Sequence, residues 1–176
     1  YTENSEAYKL YLKGRYFYNK HNIESYYKGL AFYEQAIEKD PYFALAFAGI
    51  SDVYSKLGWL NILPRKTAHE KGMAAAMKGQ DIDNTIGEIY VALANQKYWY
   101  IREMDIRGAL NDFEKALSLN HSDVEAYHEY GHLLNLRHCH DYYCVMASSN
   151  TADDLDVKGD HFCKLCLSKI AKSKKN

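Results

Sequence analysis

The chain has 176 residues, 47% apolar and 14% aromatic, enough to bury a core of ordinary size, which excludes a disordered or collagen-like chain. Its 22 basic and 23 acidic residues leave no charge excess of the kind that marks a nucleic-acid or anionic-membrane binder. The longest nearly unbroken apolar run, 42–50, is far short of the roughly 18 residues that a membrane span needs. Neither a nucleic acid nor a membrane is therefore expected as a partner. No basic-then-apolar stretch opens the chain, so the expected compartment is the cytoplasm, where thiols stay reduced.

Only two prolines, Pro41 and Pro64, interrupt a chain rich in Ala, Leu, Glu and Lys, and the sequence predicts long helices. Those helices repeat. The segments EQAIEKDPYFALAF (34–47) and EKALSLNHSDVEAY (114–127) superimpose along their length, and KGQDIDNTIGEIY (78–90) is a more divergent middle copy. Each joins the end of one helix to a turn and a new helix. Helix pairs opening near Ala7, Ala44, Gly87 and Val124 stand roughly 37 to 43 residues apart, the length of a helix-turn-helix unit with small insertions.

On these residues the chain resembles the tetratricopeptide repeat (TPR) family, over residues 6 to about 136. The matching positions are Leu10, Gly14, Phe17, Gly29, Tyr33, Ala36 and Pro41 in the first unit. Phe47, Ile50, Tyr54 and Gly72 match in the second, and Tyr90, Leu93, Ala109, Phe113 and Ala116 in the third. Small residues at such positions let helices approach, and aromatics fill the holes opposite. The resemblance implies a concave groove that takes a protein or peptide ligand. Its wall would include Tyr8, Tyr11, Arg15 and Tyr18, then Leu45, Asp52 and Lys56, then Glu88, Asn95 and Tyr98. The alternative is that these tyrosines cover helix surface with their rings and keep the hydroxyl wet. Tyr11 and Arg15 stand where chaperone-tail binders of the family carry Lys and Asn, so a carboxylate clamp for such tails is not expected.

The last third has different chemistry. All four cysteines and six of the eight histidines fall after residue 120. His128-Glu129-Tyr130-Gly131-His132 puts two imidazoles one helical turn apart, the spacing that one zinc ion needs, with a glutamate between them able to polarise water. A third histidine, His138, follows six residues after His132. It reaches the same metal if the helix stops at Asn135 and the chain turns sharply; asparagine tolerates the left-handed conformation that such a stop requires. Cys139, Cys144, Cys163 and Cys166 then run C-x4-C-x18-C-x2-C, with Met146 two residues after Cys144.

This arrangement resembles the archaemetzincin family of metzincin zinc metallopeptidases, from about Ala126 to Ile170. The resemblance implies His128, His132 and His138 as ligands of a catalytic zinc and Glu129 as the base. It implies Met146 as the methionine turn beneath the metal, and Cys139, Cys144, Cys163 and Cys166 as thiolate ligands of a second, structural zinc. Two other readings of the cysteines stay open: buried free thiols, with 140–153 as a further repeat helix, or disulfides. Lys164, Lys169, Lys172, Lys174 and Lys175 read as a solvated tail.

The expected fold is all-α, a TPR-type helix-turn-helix solenoid over 1–123 followed over 124–176 by a small zinc-stabilised module. No period-2 run of β-branched residues precedes Glu125, so no sheet is expected. Two functions follow: a zinc metallopeptidase that uses its repeats for recruitment, or a non-catalytic interaction scaffold whose C-terminal cap is structural. No glycine-rich phosphate loop or nucleophile elbow suggests a third.

Overall fold

The computed structural model describes residues 2–99, 105–120, 123–148 and 158–173. Among them are eight helices: α1 (Ser5–Tyr18), α2 (Ile23–Lys39), α3 (Ala44–Trp59), α4 (Arg65–Ile82), α5 (Gly87–Trp99), α6 (Ile106–Leu119), α7 (Val124–Leu133) and α8 (Lys164–Ser173). The described residues contain no strand, and one isolated bridge, Cys139 to Ala147, is their β-type pairing. The fold is all-α. The helices start where short polar side chains replace missing backbone acceptors. Asn4 caps α1 by accepting from the Glu6 and Ala7 amides, and Asn22 caps α2 by accepting from the Ser25 amide. His21 and Asn61, both with positive φ, turn the chain after α1 and α3.

The chain divides into two compact units, Tyr1–Asp112 and Phe113–Asn176. In the first, α1 packs on α2 and α3 on α4, and α3 also touches α1, α2 and α5, the pattern of stacked helical hairpins. One large residue locks this stack. Tyr33 of α2 is 1% exposed, and its ring lies against both Gly14 of α1 and Gly49 of α3, where an added Cβ would collide with the ring. The alternation of small and large residues read in the sequence is thus a three-helix contact. Burial of a side chain of this size contributes about 1.5–3 kcal/mol. At the next junction Gly72 of α4 makes room for Gln96 of α5, whose buried amide donates to the Ser51 carbonyl (3.0 Å) and to the hydroxyls of Ser51 and Ser55. Lys97 of α5 pairs with Asp112 of α6 at 2.6 Å.

The second unit has its own small core of Leu136, Cys144, Val145, Met146 and Cys166, with Tyr127, Phe162 and Ile170 packed around it. Residues 140–148 form turns rather than a further repeat helix. No described helix is long and apolar enough to cross a membrane.

Candidate metal centre

Helix α7 begins at Asp123, whose carboxylate accepts from the Ala126 amide, and ends after Leu133. Its end is the key to the site. The Leu136 amide donates to the Gly131 carbonyl (3.0 Å) and the Asn135 amide to the His132 carbonyl (2.9 Å), while Asn135 takes φ 62°. These are the 6→1 and 5→2 bonds of a Schellman motif, with asparagine as its left-handed residue. The turn reverses the chain and brings His138 back to the helix. It also aims the Leu136 carbonyl at His132, whose Nδ1–H donates to it at 3.0 Å.

The three imidazoles converge. Their ring centroids are 4.7 Å (His128 to His132), 5.2 Å (His128 to His138) and 5.0 Å (His132 to His138) apart. Nε2 of His128 and Nε2 of His132 are 3.1 Å apart. Zn–N bonds of about 2.0–2.1 Å in a tetrahedron put two ring nitrogens roughly 3.4 Å apart, so this spacing fits one ion. The outer nitrogens fix the tautomer. His128 Nδ1 lies 2.8 Å from the Val145 carbonyl, which can only accept, so Nδ1 carries the proton and the Nε2 lone pair faces the cluster. Burial holds the His128 pKa down to about 4, reinforced by Lys158 and the other two imidazoles against the Val145 bond. Burial, His132 and Lys158 lower the His138 pKa as well. Both shifts keep these rings neutral, as a ligand must be. Glu129 follows His128 on α7, is half-buried, and lies within electrostatic range of Lys158.

The floor of the site is equally constrained. A Cβ at Gly131 would strike the sulfur of Met146 and the ring of Phe162, so α7 settles on Met146 only because residue 131 has no side chain. The Met146 carbonyl accepts from the Cys139 amide at 2.8 Å, and the Val145 amide donates to the His161 backbone carbonyl at 3.0 Å. The cysteines thereby share a framework with the histidines.

Cys139 and Cys163 bring their sulfurs to 3.7 Å and Cys144 and Cys166 to 3.8 Å, and the four Sγ atoms lie within 4.8 Å of one another. Zn–S bonds of about 2.3 Å in a tetrahedron require S···S near 3.8 Å, whereas a disulfide needs about 2.05 Å. The Cys163 amide donates to Cys144 Sγ (3.3 Å). Burial pushes the Cys144 and Cys166 thiols up, whereas the Cys166 amide draws Cys163 down to about 7. Buried thiols that resist ionisation on their own are what a cation would convert to thiolates. The described residues thus hold two groups able to bind a metal, and both donor sets suit zinc.

The groove positions are placed differently. Tyr11 is 7% exposed and packs on Tyr33 and Phe43, with ring centroids 5.8 and 5.2 Å away, so its ring belongs to the core rather than to an open wall. Arg15 donates to its hydroxyl at 3.2 Å. Tyr8 is exposed and stacks on Tyr11, while Tyr18 is half-buried against Tyr26. Lys56 and Tyr98 are half-buried. The charges near Tyr11 are one base, Arg15, and two acids, Asp52 and Glu88, which is not an all-basic clamp. Lys158 is a residue that sequence reasoning passed over. It is 8% exposed, with Nζ 2.9 Å from His128 Nδ1, and burial lowers its pKa from the ordinary lysine value while Glu129 opposes that shift. Nothing in the polar run around it distinguishes it in the sequence.

The profile of "Peptidase family M54" matches residues 81–172, starting well before the histidine motif and overlapping the repeat pattern on α5 and α6. The chain is 50% identical over 46 residues to the archaemetzincin of Methanocaldococcus jannaschii, a stretch covering 26% of this chain and 26% of that protein. It is 49% identical over 51 residues to the archaemetzincin of Saccharolobus solfataricus, covering 29% and 28%. It therefore spans about a quarter of the length of these relatives. Among solved structures, it is similar to the first TPR of Spaghetti (RPAP3) bound to HSP90 peptide SRMEEVD, with TM-score 0.55 and 15% identity. That match covers 76% of this chain and 94% of the other, a likeness of fold.

Proposed function

The chain belongs to peptidase family M54, and from that premise we propose that it hydrolyses peptide bonds at a zinc centre held by His128, His132 and His138, with Glu129 as general base. The observation that carries this reading is the convergence of the three imidazoles, each of the first two locked to a backbone carbonyl through Nδ1 so that Nε2 is offered to a metal. Zinc bound there supplies Lewis acidity toward a peptide carbonyl and lowers the pKa of water. The chain supplies the rest. Glu129 takes the proton of the attacking water and returns it to the leaving amine. The Val145 and Leu136 carbonyls keep His128 and His132 from turning, and Gly131 over Met146 fixes the height of the helix that carries them.

Cys139, Cys144, Cys163 and Cys166 hold a second zinc with no open position. Four thiolates staple together a segment with too small a core to order itself. Residues 1–123 serve as a helical repeat for a protein or peptide ligand, and 124–176 as the metal module. Support for the repeat as a binding element is the fold shared with a TPR domain whose structure contains a peptide.

Glu129→Gln is the direct test. It keeps the shape and removes the base, so zinc content should stay at about two ions per chain while cleavage of a general peptide substrate falls roughly 100-fold or more. Equal cleavage by both proteins would remove Glu129 from the mechanism, and absence of bound zinc would remove the centre. A well-folded zinc-bound wild type that cuts no peptide would favour the second reading, a non-catalytic scaffold. That reading is motivated by the lack of any strand among the described residues to align a substrate backbone.

A further inference from the structure

Beside the third histidine the second unit has an open cleft of about 580 Å³, in the size range of ligand sites. One wall is His138, His140 and Asp141; the other is the start of α8, with Lys164, Leu165 and Lys169. His138 belongs to the imidazole cluster, so anything lying in the cleft is adjacent to the proposed catalytic centre. The charge on its walls is lopsided. Lys164 and Lys169 are exposed and have no ion-pair partner among the described residues. Asp141, the one acid on the walls among the described residues, already spends a carboxylate oxygen on the Tyr143 amide at 3.0 Å. Leu165 is 58% exposed and adds an apolar side chain to the same wall.

We propose that this cleft is a subsite for an acidic side chain of a bound peptide, next to the three imidazoles, and that Lys164 and Lys169 select it. The proposal rests on the metallopeptidase reading and narrows it to peptides carrying Glu or Asp near the bond to be cut. Leu165 contacts the methylenes of such a side chain, while the two ammonium groups and the His140 ring donate to its carboxylate. A competing role for the same lysines is to balance the negative charge of the thiolate cap, since Cys139 and Cys163 also line the cleft.

The test uses the full chain loaded with zinc and carrying Glu129→Gln to block turnover. Fluorescent octapeptides that differ only by Glu or Gln at one position are scanned along their length by anisotropy. At one position Glu should bind roughly threefold to tenfold more tightly than Gln, a preference that shrinks with added salt. It should vanish in Lys164→Gln/Lys169→Gln and invert in Lys164→Glu/Lys169→Glu, with zinc content and far-UV circular dichroism unchanged. A preference that is missing at every position, or that survives in the double variants, overturns the proposal. Loss of cysteine-site zinc in the charge-reversed variant with no change in peptide preference assigns the lysines to the cap instead and overturns it too. Cleavage by the chain with Glu129 intact is read separately. A lysine-dependent preference without cleavage supports the subsite and removes the peptidase reading; cleavage without the preference does the reverse.

Discussion

Asn135 gives the sharpest test of how the backbone builds the histidine site. It is the one described residue after α7 held at positive φ, 62°, and two consequences depend on it: the return of the chain toward His138 and the aim of the Leu136 carbonyl at His132. A residue with an ordinary Cβ is strained there by about 1–2 kcal/mol, asparagine less so, and glycine not at all. Replacing Asn135 with alanine removes the side chain that tolerates this conformation without removing the Cβ that suffers in it. On the proposal that the module orders around its metals, that cost reappears as metal affinity. A tenfold change corresponds to about 1.4 kcal/mol, so the zinc affinity of the histidine site should fall by up to roughly 5- to 30-fold in Asn135→Ala. Asn135→Gly should bind as tightly as wild type or more so. The assay is competition with a chromogenic chelator, with cobalt substitution to separate the thiolate site by its sulfur charge-transfer bands from the imidazole site. If alanine matches wild type, or glycine weakens the site as much as alanine, backbone strain at 135 does not govern the geometry and the reasoning fails.

Two further outcomes follow from the packing. Stripping the metals with a strong chelator should speed hydrogen exchange at the Cys139, Val145 and Leu167 amides, whose bonds hold the cysteine framework, and leave α1 to α4 protected; equal exchange with and without metal would show that no metal orders the module. Gly49→Ala drives a Cβ into the ring of Tyr33 and should cost about 1–3 kcal/mol, lowering the melting temperature by roughly 2 °C or more, whereas an unchanged melting temperature would mean that the ring yields at no cost.

Much of this molecule was legible in its residue spacing because both of its devices are local. The 34–47 and 114–127 segments repeat since each encodes one helix end, one turn and one helix start, and a helix end is set by a few neighbouring residues. His128 and His132 share a helix face whatever surrounds them, because 3.6 residues make a turn. The burial of Tyr11 shows the complementary limit. The helical period that puts it in line with Tyr8 and Arg15 says nothing about Phe43, which reaches it from beyond α2 and covers its ring. Lys158 was invisible for the same reason, since its burial against His128 joins two points 30 residues apart in the chain.

What the sequence determined by itself, then, is the set of parts: helices that repeat, three imidazoles in order, four thiols, and a glycine and a methionine near them. Tertiary structure decided how those parts meet. The Schellman turn at Asn135 and the bonds from His128 to Val145 and from Cys139 to Met146 bring the imidazoles and thiols into two clusters of metal-binding size. The same folding opens a cleft beside His138 lined by Lys164 and Lys169, where the sequence showed only a basic tail. Pairings of this kind depend on which backbone groups remain free after the helices have formed, and that is settled by the path of the chain between helices rather than by any local pattern within them.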